Sequence, residues 1–189
     1  MDEFWVFGYG SLMWRPGFDY VDASHARLFG YHRALCVRSH VHRGTPERPG
    51  LVLGLDRGGS CLGIAFSVSP DKSDKVLSYL RARELVTHVY KERRVPLALK
   101  SGRRVHAVAY VVDRAHAQYA GELSAGDAAG IVRGAVGKSG ANEDYVINTV
   151  NHLRQMNIHD HWLEQVARQI AWPEGEAGGA SVLPPVSSI

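Results

Sequence analysis

Short apolar segments separated by polar, glycine-rich turns fill the first 112 residues, and this is the pattern that β-strands give. The first segment, residues 4–7, predicts a short buried strand, although periodicity alone does not separate such a run from a buried helix. Turn chemistry at Asp56-Arg57-Gly58-Gly59 predicts a hairpin between the segments on either side of it. Further strands are predicted at residues 26–39, 51–55, 61–68, 89–99 and 105–112.

The apolar spacing becomes helical at two places in the chain. Ser69-Pro70-Asp71 predicts a helix start, because Ser is a good N-cap, Pro is accepted at the first helical position and Asp favours the positive end of the helix dipole. This helix is predicted to end at residue 83 or 84, and three more follow in the last third of the chain. Their predicted caps are a capping box of Ser124 with Asp127, then Asn142, then Asp160.

Strands that precede a helical last third indicate an α+β protein rather than an alternating β/α one. Many short strands make a strongly twisted or barrel-like sheet plausible. At 189 residues the chain has room for one domain with a substantial core. We expect that domain to cover residues 1–172, and a disordered tail rich in Gly, Ala, Ser and Pro to cover residues 173–189.

Charge and hydropathy narrow the classes of partner. The net charge is +3, from 22 basic and 19 acidic residues, which permits an anionic small-molecule substrate but makes no case for nucleic acid. The arginines at residues 27–57 are interpreted mostly as a solvated face, of which one or two could hold a substrate carboxylate. No apolar run is long enough to span a membrane and no signal peptide is apparent, so we expect a cytoplasmic protein.

Cysteine and histidine patterns give little sign of a metal site or a nucleophile. Cys36 and Cys61 lie in apolar segments without a CxxC spacing, which favours two buried free thiols in a reducing compartment. Cys36 lies in the middle of a predicted strand, so packing is favoured over a Cys–His nucleophile. His40-x-His42 and His159-Asp160-His161 resemble ligand pairs, but neither matches a metalloprotease helix, and solvated histidines are expected.

The first predicted strand ends in Gly8-Tyr9-Gly10-Ser11. Two glycines let the backbone approach a partner closely and allow positive φ at no steric cost. Free backbone N–H groups and one hydroxyl at this position suit an anionic or carbonyl oxygen, but a tight turn without a ligand explains the residues equally well. No G-K-[ST] follows, so this is not a phosphate loop, and the G-x-S-x-G pattern of a serine nucleophile is absent.

Glu84 is the most informative ionisable residue. It follows Leu77 and Leu80 at i, i+3 and i+7, and seven residues at 100° each return within about 20° of the starting direction. Burial beside apolar residues and the negative end of the helix dipole both raise a carboxyl pKa, as a general acid or base near neutral pH requires. A salt bridge to Arg81 or Arg83, or a helix end that frays into solvent, would also account for this residue.

Four motifs occur in order along the chain: F-G-Y-G-S-L at 7–12, H-R-G-x-P-x-x-P-G at 42–50, Y-L-x-x-R-E at 79–84, and G-x-S-G-x-N-x-D-Y at 137–145. With them, the chain resembles the ChaC family of glutathione-specific γ-glutamylcyclotransferases over about residues 4–171. Each motif is weak by itself, whereas four in register over one domain are specific.

The resemblance implies a small mixed or antiparallel β-barrel with flanking helices, and cleavage of glutathione to 5-oxoproline and cysteinylglycine without metal or cofactor. By position, Glu84 matches the family's catalytic acid/base. Residues 85–90 differ from a glycine-containing stretch in some relatives, which leaves the local loop shape open. The residues that match the family's γ-glutamyl-binding loop are Val6, Phe7, Gly8, Tyr9, Gly10, Ser11 and Leu12, with Tyr145 near the site.

A γ-glutamyl substrate carries its own nucleophile, the α-amine, so the chain need not supply one. Two alternatives stay open: a cyclotransferase that acts on another γ-glutamyl amino acid or amine, and a non-catalytic module that binds γ-glutamyl compounds or other small anions. The expected partner is a small-molecule substrate, glutathione. Neither nucleic acid nor a membrane is expected, and the sequence leaves the oligomeric state open.

Overall fold

Five strands close into a barrel in the computed structural model, which describes residues 3–172. The strands follow the order β1-β3-β2-β4-β5 around the barrel; β1 pairs in parallel with β5, and the other neighbours are antiparallel. Their bounds are β1 Phe4–Gly8, β2 Asp22–Ser39, β3 Gly50–Val68, β4 Tyr90–Leu99 and β5 Arg104–Val112.

Four α-helices flank the barrel, so the predicted mixed barrel with a helical last third is confirmed. Short 3-10 turns precede the first of them, and a two-stranded ribbon lies between the second and third. The helices are α1 Ser73–Glu84, α2 Ala125–Val132, α3 Asn142–Gln155 and α4 His161–Ala171; the turns are Ser11–Met13 and Pro70–Lys72, and the ribbon pairs β6 Val136–Gly137 with β7 Gly140–Ala141.

The predicted hairpin around Asp56-Arg57-Gly58-Gly59 is wrong. β3 runs through this segment as one strand, and both of its halves pair with β2. Gly58 and Gly59 do adopt positive φ, at 100° and 66°, and they lie across from Gly30, whose φ is 84°. The ladder shifts register between Phe29 and Tyr31 there, so the glycines form an irregularity within a long antiparallel pair rather than a reversal of the chain.

The predicted caps of α2 and α4 are confirmed, and that of α3 is wrong. Ser124 Oγ accepts the Asp127 N–H, and Asp160 accepts the Leu163 N–H. Asn142 is instead the first residue of α3, and its side chain is fully buried.

The Asn142 amide lies against β3 rather than over the end of its own helix. Its Oδ1 accepts the Leu51 N–H at 2.6 Å, and its Nδ2 donates to the Leu51 carbonyl at 2.8 Å. The side chain thereby satisfies a strand edge that has no neighbouring strand at this position, and it fixes α3 against the barrel.

Helix α1 packs on the outside of the barrel, next to β1. Val76 and Leu80 are buried in a small cluster with Val6 and Val68. Truncation of a fully buried leucine to alanine typically costs about 2–5 kcal/mol, so Leu80 holds the helix firmly in place. The packing brings Glu84, the last residue of α1, to the rim of the barrel beside the loop that follows β1.

The boundary at residue 172 stays a prediction, and residues 173–189, where a disordered tail is expected, lie outside the described residues. Within residues 3–172, the helices are too short or too polar to cross a membrane.

Candidate active site

A cleft opens between the loop after β1, the end of α1 and the unpaired edge of β3. It encloses about 460 Å³ with its open mouth included. The side chains and backbone around it combine one carboxylate, several phenols and a stretch of open backbone. Its lining residues are Tyr9, Gly10, Ser11, Leu12, Val52, Leu53, Glu84, Tyr90, Tyr110 and Tyr145.

The loop after β1 presents backbone N–H groups to this cleft. Gly10, Ser11 and Leu12 line it, and their N–H groups have no hydrogen-bond acceptor within residues 3–172. Open N–H groups at the start of a helical turn favour an anionic or carbonyl oxygen. The loop is thus equipped to bind the kind of oxygen expected from its sequence.

Neither glycine of this loop adopts the positive φ that the sequence permits. A Cβ added to Gly8 would lie 3.2 Å from both Leu12 Cβ and the Met13 nitrogen. A Cβ on Gly10 would lie 3.4 Å from a Leu53 methyl group across the cleft. Glycine at position 8 therefore lets the loop fold tightly against the following turn, whereas a Cβ at position 10 would make an ordinary van der Waals contact.

A buried arginine fixes the loop from behind. Arg33 of β2 donates from Nε to the Tyr9 carbonyl at 2.6 Å, from Nη2 to the Leu62 carbonyl at 2.6 Å and from Nη1 to Asp160 Oδ2 at 2.9 Å. Its side chain is only 3% exposed, so Arg33 is not part of the solvated face that the sequence suggested. Because Tyr9 precedes the open N–H groups directly, Arg33 sets the orientation of the peptide that enters the loop.

The Glu84 carboxylate lies mostly out of water, with its side chain 19% exposed. Burial raises the pKa of Glu84, and the nearby Arg83 guanidinium opposes this through its charge and a hydrogen bond. Glu84 Oε1 lies 3.1 Å from Arg83 Nε, so the salt bridge that the sequence left open is present together with the burial. The pKa of Glu84 is raised overall, as predicted for a group that exchanges protons near neutral pH.

Arg83 also joins the carboxylate to the loop. Its Nη2 donates to Ser11 Oγ at 2.9 Å, and its Nη1 donates to the Arg15 carbonyl at 2.9 Å. The Ser11 hydroxyl therefore accepts a charged donor, and its own proton stays available to a ligand. The loop, Arg83 and Glu84 form one connected unit on the same side of the cleft.

Two tyrosines on the opposite side bind the edge of β3. The Leu53 N–H donates to Tyr145 Oη at 3.1 Å, and Tyr90 Oη donates to the Leu53 carbonyl at 2.6 Å. Burial raises the pKa of Tyr145 to about 12 and that of Tyr90 well above its ordinary value, so both phenols are neutral at physiological pH. Since Tyr145 accepts at its oxygen, its O–H remains free to donate into the cleft.

The structure brings most of the predicted site residues together. Tyr9, Gly10, Ser11 and Leu12 line the cleft with Glu84. Tyr145 lines it too, from α3. The remaining three lie in β1 and do not line it: Val6 packs under α1, Phe7 is in the barrel core, and Gly8 lies against the following turn.

Sequence reasoning did not find Tyr90, Tyr110 or Leu53 as parts of the site. Tyr90 begins β4, and Tyr110 lies in β5 with its hydroxyl donating to Glu92 Oε2 at 3.2 Å. Both lie within segments predicted as strands, at residues 89–99 and 105–112. Alternation along a strand separates its two faces, but the identity of the face that meets the cleft depends on how the barrel closes.

The thiols are buried and unpaired, as predicted. Burial raises the pKa of the Cys36 thiol to about 12 and also raises that of Cys61, which leaves little nucleophilic thiolate. His42, His159 and His161 are exposed, in agreement with the expectation of solvated histidines, whereas His40 is half-buried. No cluster of three or more metal-ligating side chains occurs within residues 3–172.

Comparison with known proteins identifies what this arrangement is similar to. The family model described as ChaC-like protein matches residues 4–172. The glutathione-specific γ-glutamylcyclotransferase of Escherichia coli is 33% identical over 162 residues, which cover 86% of this chain and 70% of that protein. The enzyme of the same name from Schizosaccharomyces pombe is 31% identical, over 87% of this chain and 92% of its own.

Among solved structures, the γ-glutamyl cyclotransferase specific to glutathione from yeast superposes with a TM-score of 0.80 at 23% identity. The match covers 90% of this chain and 96% of the yeast chain. At this level of identity the likeness supports the fold alone.

Proposed function

The chain belongs to the ChaC family, and we propose that it is a glutathione-specific γ-glutamylcyclotransferase that releases 5-oxoproline and cysteinylglycine. Relatives that carry this name cover most of the chain, and the cleft contains the groups that the reaction requires. The observation that carries the proposal is the position of Glu84. It is a largely buried carboxylate with a raised pKa, and it shares one cleft with a loop of open N–H groups.

The reaction is an intramolecular transfer. The α-amine of the γ-glutamyl group attacks the γ-carbonyl carbon, a C–N bond closes the five-membered ring, and the C–N bond to the cysteine breaks. Alignment of groups in one molecule is worth on the order of 7–11 kcal/mol of barrier, so a folded conformation of the substrate supplies much of the rate. This explains how a cleft without a serine or cysteine nucleophile can cleave an amide.

Glu84 moves the protons. The α-ammonium loses one proton to become a nucleophile and a second as the ring closes, and the leaving amine gains both. A carboxylate with a raised pKa accepts each proton and returns it to the leaving nitrogen, so no net proton is consumed. The Arg83 ion pair opposes the effect of burial on the Glu84 pKa and holds the carboxylate in place.

Donors around the cleft bind the oxygens of the substrate. The open N–H groups of Gly10, Ser11 and Leu12 and the hydroxyl of Tyr145 are uncharged donors, suited to the α-carboxylate and to the oxyanion that develops at the γ-carbonyl. We assign the loop and Tyr145 jointly to these two oxygen sites.

The test is incubation with glutathione and mass spectrometry for 5-oxoproline, with and without EDTA. We expect product from the wild-type chain and a fall of about 10²–10⁴-fold in kcat for Glu84→Gln, because that variant keeps the shape but loses the proton transfer. The matched control is Glu122→Gln, whose side chain is 73% exposed and pairs with Arg114 away from the cleft. Full activity in a folded Glu84→Gln protein would refute the role of Glu84.

The same assay separates the alternatives. A non-catalytic module would bind glutathione reversibly and yield no cysteinylglycine. A cyclotransferase for another compound would turn over γ-glutamylalanine faster than glutathione. The proposal also places the reaction in the cytoplasm, a reducing compartment that suits the two buried free thiols.

A further inference from the structure

A second cavity adjoins the active-site cleft and shares Val52, Glu84 and Tyr90 with it. It encloses about 690 Å³ between the end of β2 and the turn that follows α1. Glu84 therefore borders both spaces, and a substrate with its scissile amide at this carboxylate has access to each of them. The first cavity presents the open N–H groups of Gly10, Ser11 and Leu12, which do not line the second.

The second cavity carries positive charge without a partner. Arg38 and His40 line it, and no hydrogen bond or ion pair of either side chain occurs in the part of the chain that the structure describes. The Arg38 backbone is nevertheless fixed, because its N–H donates to the Gln118 carbonyl at 2.8 Å and Gln118 Nε2 donates to its carbonyl at 3.0 Å. A fixed backbone with an uncommitted guanidinium is a site for an anion.

The other charged groups around this cavity are already engaged. Arg83 pairs with Glu84, and Glu84 is the sole carboxylate among the described lining residues. His42 Nδ1 lies 2.9 Å from Ser139 Oγ. An incoming carboxylate would therefore meet Arg38 and His40 as its available cationic or hydrogen-bonding partners.

An apolar wall lies beside these groups. Val37, Val52 and Val89 contribute to it, and so does Val86, whose side chain is 73% exposed although it is aliphatic. The cavity thus combines a small apolar surface with an uncompensated positive charge. A short, weakly polar side chain followed by a terminal carboxylate matches that combination.

We propose that this cavity binds the cysteinylglycine half of glutathione, with Arg38, assisted by His40, on the glycine carboxylate and the valines around the cysteine side chain. The inference rests on the proposed function. Two residues extend at most about 7 Å, which is the reach of a dipeptide that begins at Glu84. Arg38 is then a specificity-determining residue, which favours glutathione over γ-glutamyl compounds that lack this carboxylate.

The test compares glutathione with its glycine monoethyl ester, in which a neutral ethyl ester replaces the terminal carboxylate. For the wild-type chain we expect the ester to have a KM roughly tenfold to a hundredfold higher, as loss of a charge-assisted hydrogen bond implies. Arg38→Met should raise the KM for glutathione by a similar factor, with kcat little changed, and should leave the KM for the ester unaltered. His40→Gln should give a smaller change in the same direction.

The control variant is Arg93→Met, an exposed arginine of β4 that lines neither cavity. Equal use of glutathione and its ester by the wild-type chain would overturn the inference without any variant, so it remains testable if Arg38→Met does not fold. An equal loss of both substrates in a folded Arg38→Met protein would overturn it too. Absence of 5-oxoproline from either substrate in the wild-type chain would instead refute the proposed function.

Discussion

Replacement of Arg33 by methionine tests whether this side chain fixes the loop after β1 through the Tyr9 carbonyl. The substitution keeps an unbranched side chain but removes all three hydrogen bonds that join Tyr9, Leu62 and Asp160. Asp160 is left as a largely buried carboxylate, 14% exposed, without its cationic partner. Loss of one member of a buried ion pair costs about 3–5 kcal/mol.

This cost is a large fraction of the stability of a single domain, which is typically about 5–15 kcal/mol. With a urea m value near 2 kcal/mol/M, a loss of 4 kcal/mol would lower the unfolding midpoint by roughly 2 M. Urea unfolding followed by tryptophan fluorescence measures this shift directly. Arg27→Met, an exposed change on the same strand, should stay within about 0.5 kcal/mol.

A double-mutant cycle with Asp160→Asn isolates the ion pair. Asparagine still caps α4 by accepting the Leu163 N–H, but it removes the charge. The double variant with Arg33→Met should therefore be at least as stable as Arg33→Met alone, with a coupling energy of about 1–3 kcal/mol. Strict additivity of the two single changes would refute the reasoning.

Steady-state kinetics separate the ion pair of Arg33 with Asp160 from its contact with the loop at the Tyr9 carbonyl. In Asp160→Asn the bonds from Arg33 to the Tyr9 and Leu62 carbonyls remain, so we expect the KM for glutathione to stay close to the wild-type value. In Arg33→Met the Tyr9 carbonyl loses its donor and the loop loses its fixed orientation, so KM should rise. An unchanged KM in folded Arg33→Met would show that the loop does not depend on this contact.

Three further outcomes follow from the electrostatics of the structure. The pKa of Glu84 is raised above its ordinary value of 4.5, so activity should fall at acidic pH as this carboxylate takes up a proton. Arg83→Met removes a cation that lowers the pKa of Glu84. The variant should therefore move the acidic limb of the kcat/KM profile to higher pH. The Cys36 thiol, with a pKa raised to about 12 by burial, should react with a disulfide reagent only after denaturation, and rapid labelling of the native protein would contradict this. Burial raises the pKa of Asp56, but hydrogen bonds from Arg114 and Tyr119 outweigh this effect, so the pKa in the folded protein is lowered. The Asp56 carboxylate therefore stabilises the fold above its ordinary pKa of 3.8. Tyr119→Phe should therefore cost about 1.5–3 kcal/mol in urea unfolding at neutral pH, and the loss should shrink as the pH falls below 3.8.

Elements whose signals are local could be predicted from the sequence. The cap of α4 at Asp160 and the bounds of β4 and β5 depend on residues within a few positions of each other, and the sequence predicts both to within one residue. Glu84 was found for a similar reason, since helical spacing alone places it near the stripe that contains buried Leu80. The general outline of the site followed from these local patterns together with the family motifs.

Features that depend on distant pairing could not be predicted. Gly58 and Gly59 have the same turn chemistry in a hairpin and in a bulge, and only the length of the partner strand β2 decides between them. Arg33 belongs to an arginine-rich stretch that looks solvated, because its three acceptors come from three remote segments of the chain. Tyr90 could not be assigned to the cleft from the sequence, because its position there depends on how the strands close into the barrel.

The position of the site follows from one unfilled edge in the barrel. β3 pairs with β1 only from Ile64 onward, so the edge of its first part has no neighbouring strand. Its backbone groups must still be satisfied, and side chains do this: Asn142 binds both groups of Leu51, while Tyr145 and Tyr90 bind those of Leu53.

A strand in that place would have covered the edge with backbone and left no space beside it. Side chains that bind the edge instead leave a cleft whose wall consists of neutral hydroxyl groups, opposite the loop that Arg33 fixes and the carboxylate that α1 presents. The same gap in strand pairing that makes polar side chains necessary for stability therefore creates the space in which a γ-glutamyl group can fold onto its own carbonyl.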